Sequence, residues 1–457
     1  MNPRILAIIL AAGEGKRMNS ARSKVLQPIG GRPMLSHILD SVAELPEAQP
    51  AVIYGHKGEA LKDAMSADYP HITWIHQAQQ LGTGHAVQQA LPQIAAAEIV
   101  LVILGDVPLI RANTLARLAE RAREHGFALL STELDNPHGY GRIVRDEAGG
   151  VAQIIEEKDA NEQQRAIREI NSGIMAFTAE RLQQHLPNLT NDNAQQEYYL
   201  TDLVAMSHAA NQPVIAEIVK DDAEVMGVNN RSQLAQAEAF YRRRQTDALL
   251  EAGATLIDPS RIDVHGRVQV GRDVLIEPGV FFKGNVVLGD HVVVEANSAL
   301  KDCSIGSGSQ ILSHSVIDSA IIGEHATIGP FARIRPKTVL ADHTKVGNFV
   351  ETKAANIGYG SKVNHLSYIG DARVGEQVNI GAGTITCNYD GTNKHQTVIE
   401  DGVFVGSNSA LVAPLTINKG ATVAAGSTLN KDVSANSLVI TRVKPREIPN
   451  WPGPKKK

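Results

Sequence analysis

Three stretches of this chain hold residue types whose spacing can do chemistry. The first reads Leu10-Ala11-Ala12-Gly13-Glu14-Gly15-Lys16-Arg17-Met18, with Lys24 following. A glycine-rich turn after a strand lets backbone N–H groups come close to a phosphate. Gly13 and Gly15 meet that need, and Arg17 and Lys24 add fixed positive charge. Taken alone, such a turn is also an ordinary strand-to-helix connection. The second stretch, Leu104-Gly105-Asp106, tips the balance towards phosphate, because it ends another aliphatic run with a carboxylate. Asp106 is the natural first ligand for Mg²⁺, which prefers oxygen donors and keeps several waters. Such groups suit holding a phosphate and neutralising its charge. The third stretch, Cys387–His395 with Asn388-Tyr389-Asp390-Gly391, interrupts a regular repeat and reads as an ejected loop, of the kind that often carries function.

The elements that must position these residues fall into two halves. Residues 5–10 and 99–104 are continuous aliphatic runs, as buried parallel strands are, and residues 51–54 and 72–75 read as further strands. Leu35, Ile38, Leu39 and Val42 fall on one helical face between them. This alternation predicts a Rossmann-like α/β domain with a mostly parallel sheet. Ligands then bind beyond the carboxyl ends of the strands, where Gly13 and Asp106 both sit. Residues 230–252 read as one connecting helix, capped by Asn230 and stopped by Gly253. Arg242-Arg243-Arg244 on it reads as a solvated face.

After about residue 265 an aliphatic or aromatic residue returns every sixth position, at Val270, Ile276, Phe282, Leu288, Val294 and Leu300. The series slips by one and resumes at Ile305, Ile311 and Ile317. It slips again and runs Ile322, Ile328, Ile334, Leu340 and Val346. Ile357, Val363, Ile369, Val374 and Ile380 follow, and Ile399, Val405, Leu411, Ile417, Val423 and Leu429 lie beyond the interruption. Neither a helix nor an alternating strand has this period. A parallel β-helix does, with three repeats to a triangular coil and the spaced residue stacked inward. The predicted domains are therefore 1–229, a linker helix at 230–252, and a β-helix with a C-terminal arm at 253–457.

Bulk composition sets limits. At 457 residues the chain is too long for one ordinary core, and 43% hydrophobic content is a globular balance. A formal charge of −5 argues against a nucleic-acid binder. Only 2 cysteines, Cys303 and Cys387, fit a reducing compartment, and a cytoplasmic location is expected. The apolar run at the start reads as a strand rather than a leader, and no stretch is long enough to cross a bilayer, so no membrane insertion is expected.

The signature from Leu10 to Met18 with Lys24 resembles that of sugar-1-phosphate nucleotidyltransferases. His365-Leu366-Ser367-Tyr368-Ile369-Gly370-Asp371 and Asn379-Ile380-Gly381-Ala382-Gly383-Thr384 resemble an acetyltransferase half. Together they resemble the bifunctional N-acetylglucosamine-1-phosphate uridyltransferase / glucosamine-1-phosphate N-acetyltransferase family over nearly the whole chain. Three positions depart from its pattern: Ser23 stands where Pro is usual, Lys16 where Thr is usual, and Leu104 where Tyr can occur.

The resemblance implies UTP, acetyl-CoA and Mg²⁺ as the small molecules used, a left-handed β-helix, and a product that feeds peptidoglycan and lipopolysaccharide synthesis. It makes Asn229 the second metal ligand beside Asp106. It assigns nucleotide and sugar contacts to Leu10, Ala11, Ala12, Gly13, Lys24, Gln77, Gly82, Thr83, Leu104, Gly105, Asp106, Gly141, Glu156, Asn171, Thr201 and Asn229, with Arg17 and Lys24 catalytic. It makes His365 the base for acetyl transfer, a role that suits a pKa near working pH. Arg335, Lys353, Tyr368 and Asn379 would then hold the sugar phosphate, and Ala382, Asn388, Tyr389, Ser407, Ala425 and Arg442 would hold acetyl-CoA. The family also implies a homotrimer through the β-helix.

Three other readings stay open on sequence. One is a sugar-nucleotide pyrophosphorylase whose β-helix is only regulatory or oligomeric. A second is a non-catalytic solenoid scaffold fused to an enzyme. The third is a β-helix zinc hydratase using His325, His343 and His365. The terminal lysines at 455–457 read as a solvated tail.

Overall fold

A computed structural model of the chain describes residues 4–13, 15–55 and 58–453, so Glu14 and the terminal lysines lie outside the described residues. The chain divides into two compact units, Met1–Tyr241 and Arg242–Lys457. The helix Arg231–Glu251 carries the chain from one to the other. Asn230 caps it, its side chain accepting from Gln233 N at 2.9 Å. After Glu251 the chain turns at Gly253, whose φ is 96°.

The first unit is built on one mixed sheet. Its spine is the strand Ile5–Leu10, paired in parallel with Ala48–Tyr54 on one side and Ile99–Leu104 on the other, with Thr73–His76 beyond. The far half is mixed, because Glu169–Thr178 runs antiparallel to Ile99–Leu104 and to Phe127–Glu133. The unbroken aliphatic character of the spine has a direct cause. Ala7 and Ile9 enter one core, and Leu6 and Ile8 enter another on the opposite face. Helix Met34–Ala43 covers the first of these faces with Leu35, Ile38, Leu39 and Val42, all at 0–2% exposure. Full burial of each such side chain is worth about 1.5–3 kcal/mol.

The second unit is a parallel β-helix, the class the six-residue period predicts. Short strands stack in long ladders, one ladder running from Thr255–Leu256 to Leu438–Val439. In most repeats one large aliphatic residue points inward, with a smaller one two positions earlier, as in Ser309 and Ile311, Ala332 and Ile334, Thr344 and Val346. The narrow coil leaves room for little else. Three positions before the inward residue the chain turns in the left-handed region, at Asn297 (φ 60°), His325 (φ 52°), Phe331 (φ 56°) and His343 (φ 57°).

The slips in the series are corners shortened by one residue. Leu300 pairs with Ile317, 17 residues on, whereas Ile322 pairs with Leu340, 18 residues on. At the interruption Ile380 pairs with Val405, 25 residues on, so the extra residues leave the wall. Two inward positions escape the aliphatic pattern. Thr352 and Thr386 are fully buried in line with the stack, Thr352 opposite Ile369 and Thr386 opposite Leu411. Each hydroxyl has a partner: Thr352 Oγ1 lies 3.3 Å from Thr338 Oγ1, and Thr386 Oγ1 donates to Gly370 O at 3.0 Å. A buried hydroxyl is tolerated when so paired. Among the described residues no helix is long and apolar enough to cross a membrane.

Candidate active sites

The first site lies at the carboxyl ends of the central strands, in a cleft of about 480 Å³. Leu10, Ala11, Ala12, Gly13, Lys24, Gln77, Gly82, Thr83, Leu104 and Asp106 all line it. A neighbouring hollow of about 280 Å³ is shared by Gly13, Gly15, Lys16, Ser20 and Ser23. Between them the chain forms two short 3-10 turns, Lys16–Met18 and Lys24–Leu26. Gly15 is required here: its φ is 63°, and a Cβ on it would lie 2.8 Å from Lys24 Cβ. Ser23, where proline is usual, has φ −53° and ψ 143°. Proline adopts that conformation too, so the departure leaves the loop's path unchanged.

The cations of the loop meet the oxygens of the neighbouring strand ends. Lys24 Nζ donates to Asp106 Oδ2 and, at 3.2 Å, to Asn229 Oδ1. Arg17 Nη2 donates to the same Asn229 oxygen at 2.9 Å. Val228 N donates to Asp106 O at 2.8 Å, which ties the two segments together, and Asn229 N donates to Gln233 Oε1 at 2.8 Å. Arg17, Lys24, Asp106 and Asn229 therefore form one cluster although 212 positions separate the first from the last. Asn230 is the helix cap, which leaves Asn229 for the site.

Gln77 is buried at one end of the cleft, its Nε2 3.0 Å from His85 Nδ1 and 3.3 Å from Gly82 O. Gly82 has φ 106°, and a Cβ there would strike Tyr198 O at 2.6 Å. Thr83 starts the short helix Thr83–Gln88, and its hydroxyl accepts from Leu200 N at 3.1 Å. The sequence-predicted sugar positions also come together. Asn171 N donates to Gly141 O at 2.9 Å, and Thr201 Oγ1 donates to Glu156 Oε1 at 3.3 Å. A Cβ on Gly141 would lie 3.4 Å from the Glu156 carboxylate. Burial pushes the Glu156 carboxyl above its ordinary value, with Thr201 pulling the other way. Tyr199 is buried, and its hydroxyl accepts from Gln195 Nε2 at 2.7 Å.

The second site lies on the β-helix. His365 ends the strand Lys362–His365 and stacks on Asn348 in the coil before. His365 Nδ1 lies 2.7 Å from Asn348 Oδ1. A carboxamide oxygen can only accept, so Nδ1 carries the proton and Nε2 is left as an acceptor. Arg335 Nη1 donates to Glu351 Oε1 at 2.6 Å, so its charge is already matched by a carboxylate. Tyr368 folds back over Gly370, where a Cβ would lie 2.3 Å from the phenol oxygen. Asn379 sits in the wall ladder, its N–H donating to Val403 O at 3.0 Å.

The ejected loop closes over this region. Asn388 Nδ2 donates to Asp371 Oδ2, and Tyr389 OH donates to Gly391 O at 2.6 Å. Asp390 clasps the loop by accepting from Thr392 N at 2.8 Å, Asn393 N at 2.7 Å and His395 Nε2 at 2.7 Å. Those bonds, the Asn393 backbone first, hold its carboxyl down to about 2. Residues 382, 407, 425 and 442 follow one another up a single corner. Asn408 N donates to Ala382 O at 2.7 Å, Gly426 N donates to Ser407 O at 2.8 Å, and a Cβ on Gly406 would lie 2.4 Å from Ala425 N. A Cβ on Gly426 would lie 3.5 Å from Arg442 Cδ.

Two residues here were not singled out from sequence. Asn348 is one. Lys394 is the other: Lys353 beside it lowers its pKa, with Asp371 opposing. The zinc reading is not supported, since His325 stacks on His343 at 5.1 Å while His365 bonds to Asn348. Among the described residues no group of three or more His, Cys, Asp or Glu side chains is placed to hold a metal ion.

The chain matches the model of a MobA-like NTP transferase domain over residues 7–255 and that of a GMPPB C-terminal domain over residues 264–354. It is 54% identical over 454 residues to the Bifunctional protein GlmU of Dichelobacter nodosus, covering 99% of this chain and 97% of that protein. It is 50% identical over 449 residues to the Bifunctional protein GlmU of Marinobacter nauticus, covering 98% of each.

Proposed function

The chain belongs to the GlmU family of bifunctional proteins, and on that premise we propose that it makes UDP-N-acetylglucosamine in two steps, one in each unit. The β-helix unit acetylates glucosamine-1-phosphate with acetyl-CoA. The α/β unit transfers uridylyl from UTP to N-acetylglucosamine-1-phosphate and releases pyrophosphate. The product is a precursor for peptidoglycan. The observation that carries this reading is the meeting of Arg17, Lys24 and Asp106 at Asn229, at the carboxyl ends of the strands.

In uridylyl transfer the sugar-phosphate oxygen attacks the α-phosphorus of UTP, and pyrophosphate leaves. Gly13 and Gly15 suit a close approach of backbone to the phosphates, and Arg17 and Lys24 neutralise the charge that develops. Gln77 suits the uracil edge. Gly141, Glu156, Asn171 and Thr201 suit the acetylated sugar. A divalent cation fits the oxygens of Asp106 and Asn229, because the Lys24 ammonium already bridges both. Mg²⁺ is the proposed ion, and bound there it would neutralise phosphate charge.

In acetyl transfer the sugar amine attacks the thioester carbonyl, the C–S bond breaks and coenzyme A leaves as the thiol. His365 Nε2 accepts the amine proton, with Asn348 fixing the tautomer. Lys353 and Lys394 receive the phosphate. Ala382, Ser407 and Ala425 give a smooth corner for the pantetheine arm, and Arg442 at its end can meet a coenzyme phosphate.

The functional protein is proposed to be a homotrimer. Exposed apolar side chains on the β-helix, among them Ile321, Val339, Phe331, Phe349 and Leu366, would be covered by the neighbouring copies. Both cysteines are unpaired, which suits the cytoplasm as the proposed location. Two separate assays test the proposal. Thiol release should require glucosamine-1-phosphate and acetyl-CoA, and pyrophosphate release should require UTP and N-acetylglucosamine-1-phosphate. Thiol release without the sugar phosphate, or none with it, would sink the acetyltransferase half.

A further inference from the structure

We propose that Arg231, at the start of the connecting helix, is a positioning residue for uridylyl transfer that fastens the phosphate-binding loop. The inference rests on the uridylyltransferase reading of the first site. The loop between Lys16 and Gln27 has little regular structure. Its own backbone bonds are short-range ones, such as Asn19 N to Lys16 O at 3.2 Å and Leu26 N to Ser23 O at 3.0 Å. Bonds of that kind shape each turn but do not hold one turn against the other.

Arg231 does so. Its Nε donates to Met18 O at 3.1 Å, just after Arg17, and its Nη1 donates to Gln27 Oε1 at 2.9 Å, just beyond Lys24. Gln27 is buried, and its Nε2 donates to Ser20 Oγ at 3.1 Å, across the same loop. One planar guanidinium thus ties the two 3-10 turns that bear the two cations. A lysine could not make both bonds in that fixed geometry.

The anchor and the target share one rigid piece of chain. Asn229, where Arg17 and Lys24 both donate, lies two residues before Arg231. Its own N–H is held by Gln233, and Asn230 between them caps the helix. The helix start therefore fixes both the loop and the oxygen that its cations must reach. Arg231 lines neither cleft beside the loop, so it acts through Arg17 and Lys24 rather than on substrate.

The test uses the full chain with Arg231→Ala and Arg231→Lys, both activities being measured on the same samples. Uridylyl transfer by Arg231→Ala should lose about 10- to 100-fold in kcat, the scale expected of misplaced catalytic groups. KM for UTP and for the sugar phosphate should stay near wild type, because no substrate contact is lost. Arg231→Lys should recover part of the loss. Adding Gln27→Leu to Arg231→Ala should cost little more, since the two act as one fastening. Acetyl transfer should be unchanged, which reports that the protein is intact. Near-normal kcat in both variants, or a change confined to KM, overturns the proposal, as does equal loss of acetyl transfer in Arg231→Lys. Wild-type protein that transfers no uridylyl group overturns the reading of the reaction, and the proposal with it. An active wild type with an equally active Arg231→Ala overturns the proposal alone.

Discussion

Asp106 holds the Lys24 ammonium on one side and, through its backbone oxygen, Val228 on the other. Removing the carboxylate leaves Lys24 with the Asn229 oxygen but no anionic partner, and would deprive the proposed metal of its anionic ligand. Asp106→Ala should therefore cut uridylyl transfer by at least about 10²-fold, with acetyl transfer near wild type. Equal loss of both rates in a folded variant would contradict the assignment. His365→Ala should do the reverse, losing about 10²–10⁴-fold in acetyl transfer, the usual contribution of a positioned base. Asn348→Ala should lose less, because the imidazole remains and only its tautomer is freed; full acetyl transfer by that variant would show that the 2.7 Å bond to His365 has no catalytic use. At this scale the sequence offered residue types but not their partners. Asn348 and Lys394 were invisible to it, because what matters is that coil stacking brings Asn348 under His365 and that the ejected loop carries Lys394 to where Lys353 acts on it.

The loop at the second site is held chiefly by one carboxylate. Asp390 titrates near 2, well below the ordinary carboxylate value of 3.8. A lowered carboxylate pKa contributes order that is fully present above the free value and is lost as pH falls through the folded one. The clasp should therefore persist through neutral and mildly acidic pH and open only between about pH 4 and pH 2. An NMR titration of the Asp390 carboxyl checks this, and a midpoint near 4 would contradict it. Along the wall, Ile334→Ala empties a site of 0% exposure in the stack and should cost about 2–5 kcal/mol, read as a lower unfolding midpoint. The wall was the most legible element, since a period of six survives one-residue slips. The inward positions at Thr352 and Thr386 were not legible, because their hydroxyls break the aliphatic pattern while their bonds satisfy the core. In the connecting helix the sequence drew notice to Arg242-Arg243-Arg244, of which Arg243 pairs with Asp247 at 2.8 Å in an exposed bridge. The arginine of that helix that reaches the loop is Arg231, and single arginines at helix starts carry no periodic signal.

At the scale of the whole molecule, two units with separate clusters of chemistry predict separable activities in one chain. The proposed trimer predicts more: chains disabled at His365 and chains disabled at Arg442 should regain acetyl transfer when mixed, if one site draws on two copies. A monomeric mass for fully active protein in sedimentation equilibrium would contradict the assembly. The central claim is that both units are enzymes acting on one sugar phosphate in sequence, and one measurement tests it most directly. The protein is incubated with glucosamine-1-phosphate, acetyl-CoA, UTP and Mg²⁺, and the products are identified by mass. The account predicts UDP-N-acetylglucosamine, with free coenzyme A and pyrophosphate formed in equal amounts. Coenzyme A without a nucleotide sugar, or a nucleotide sugar that lacks the acetyl group, would contradict it.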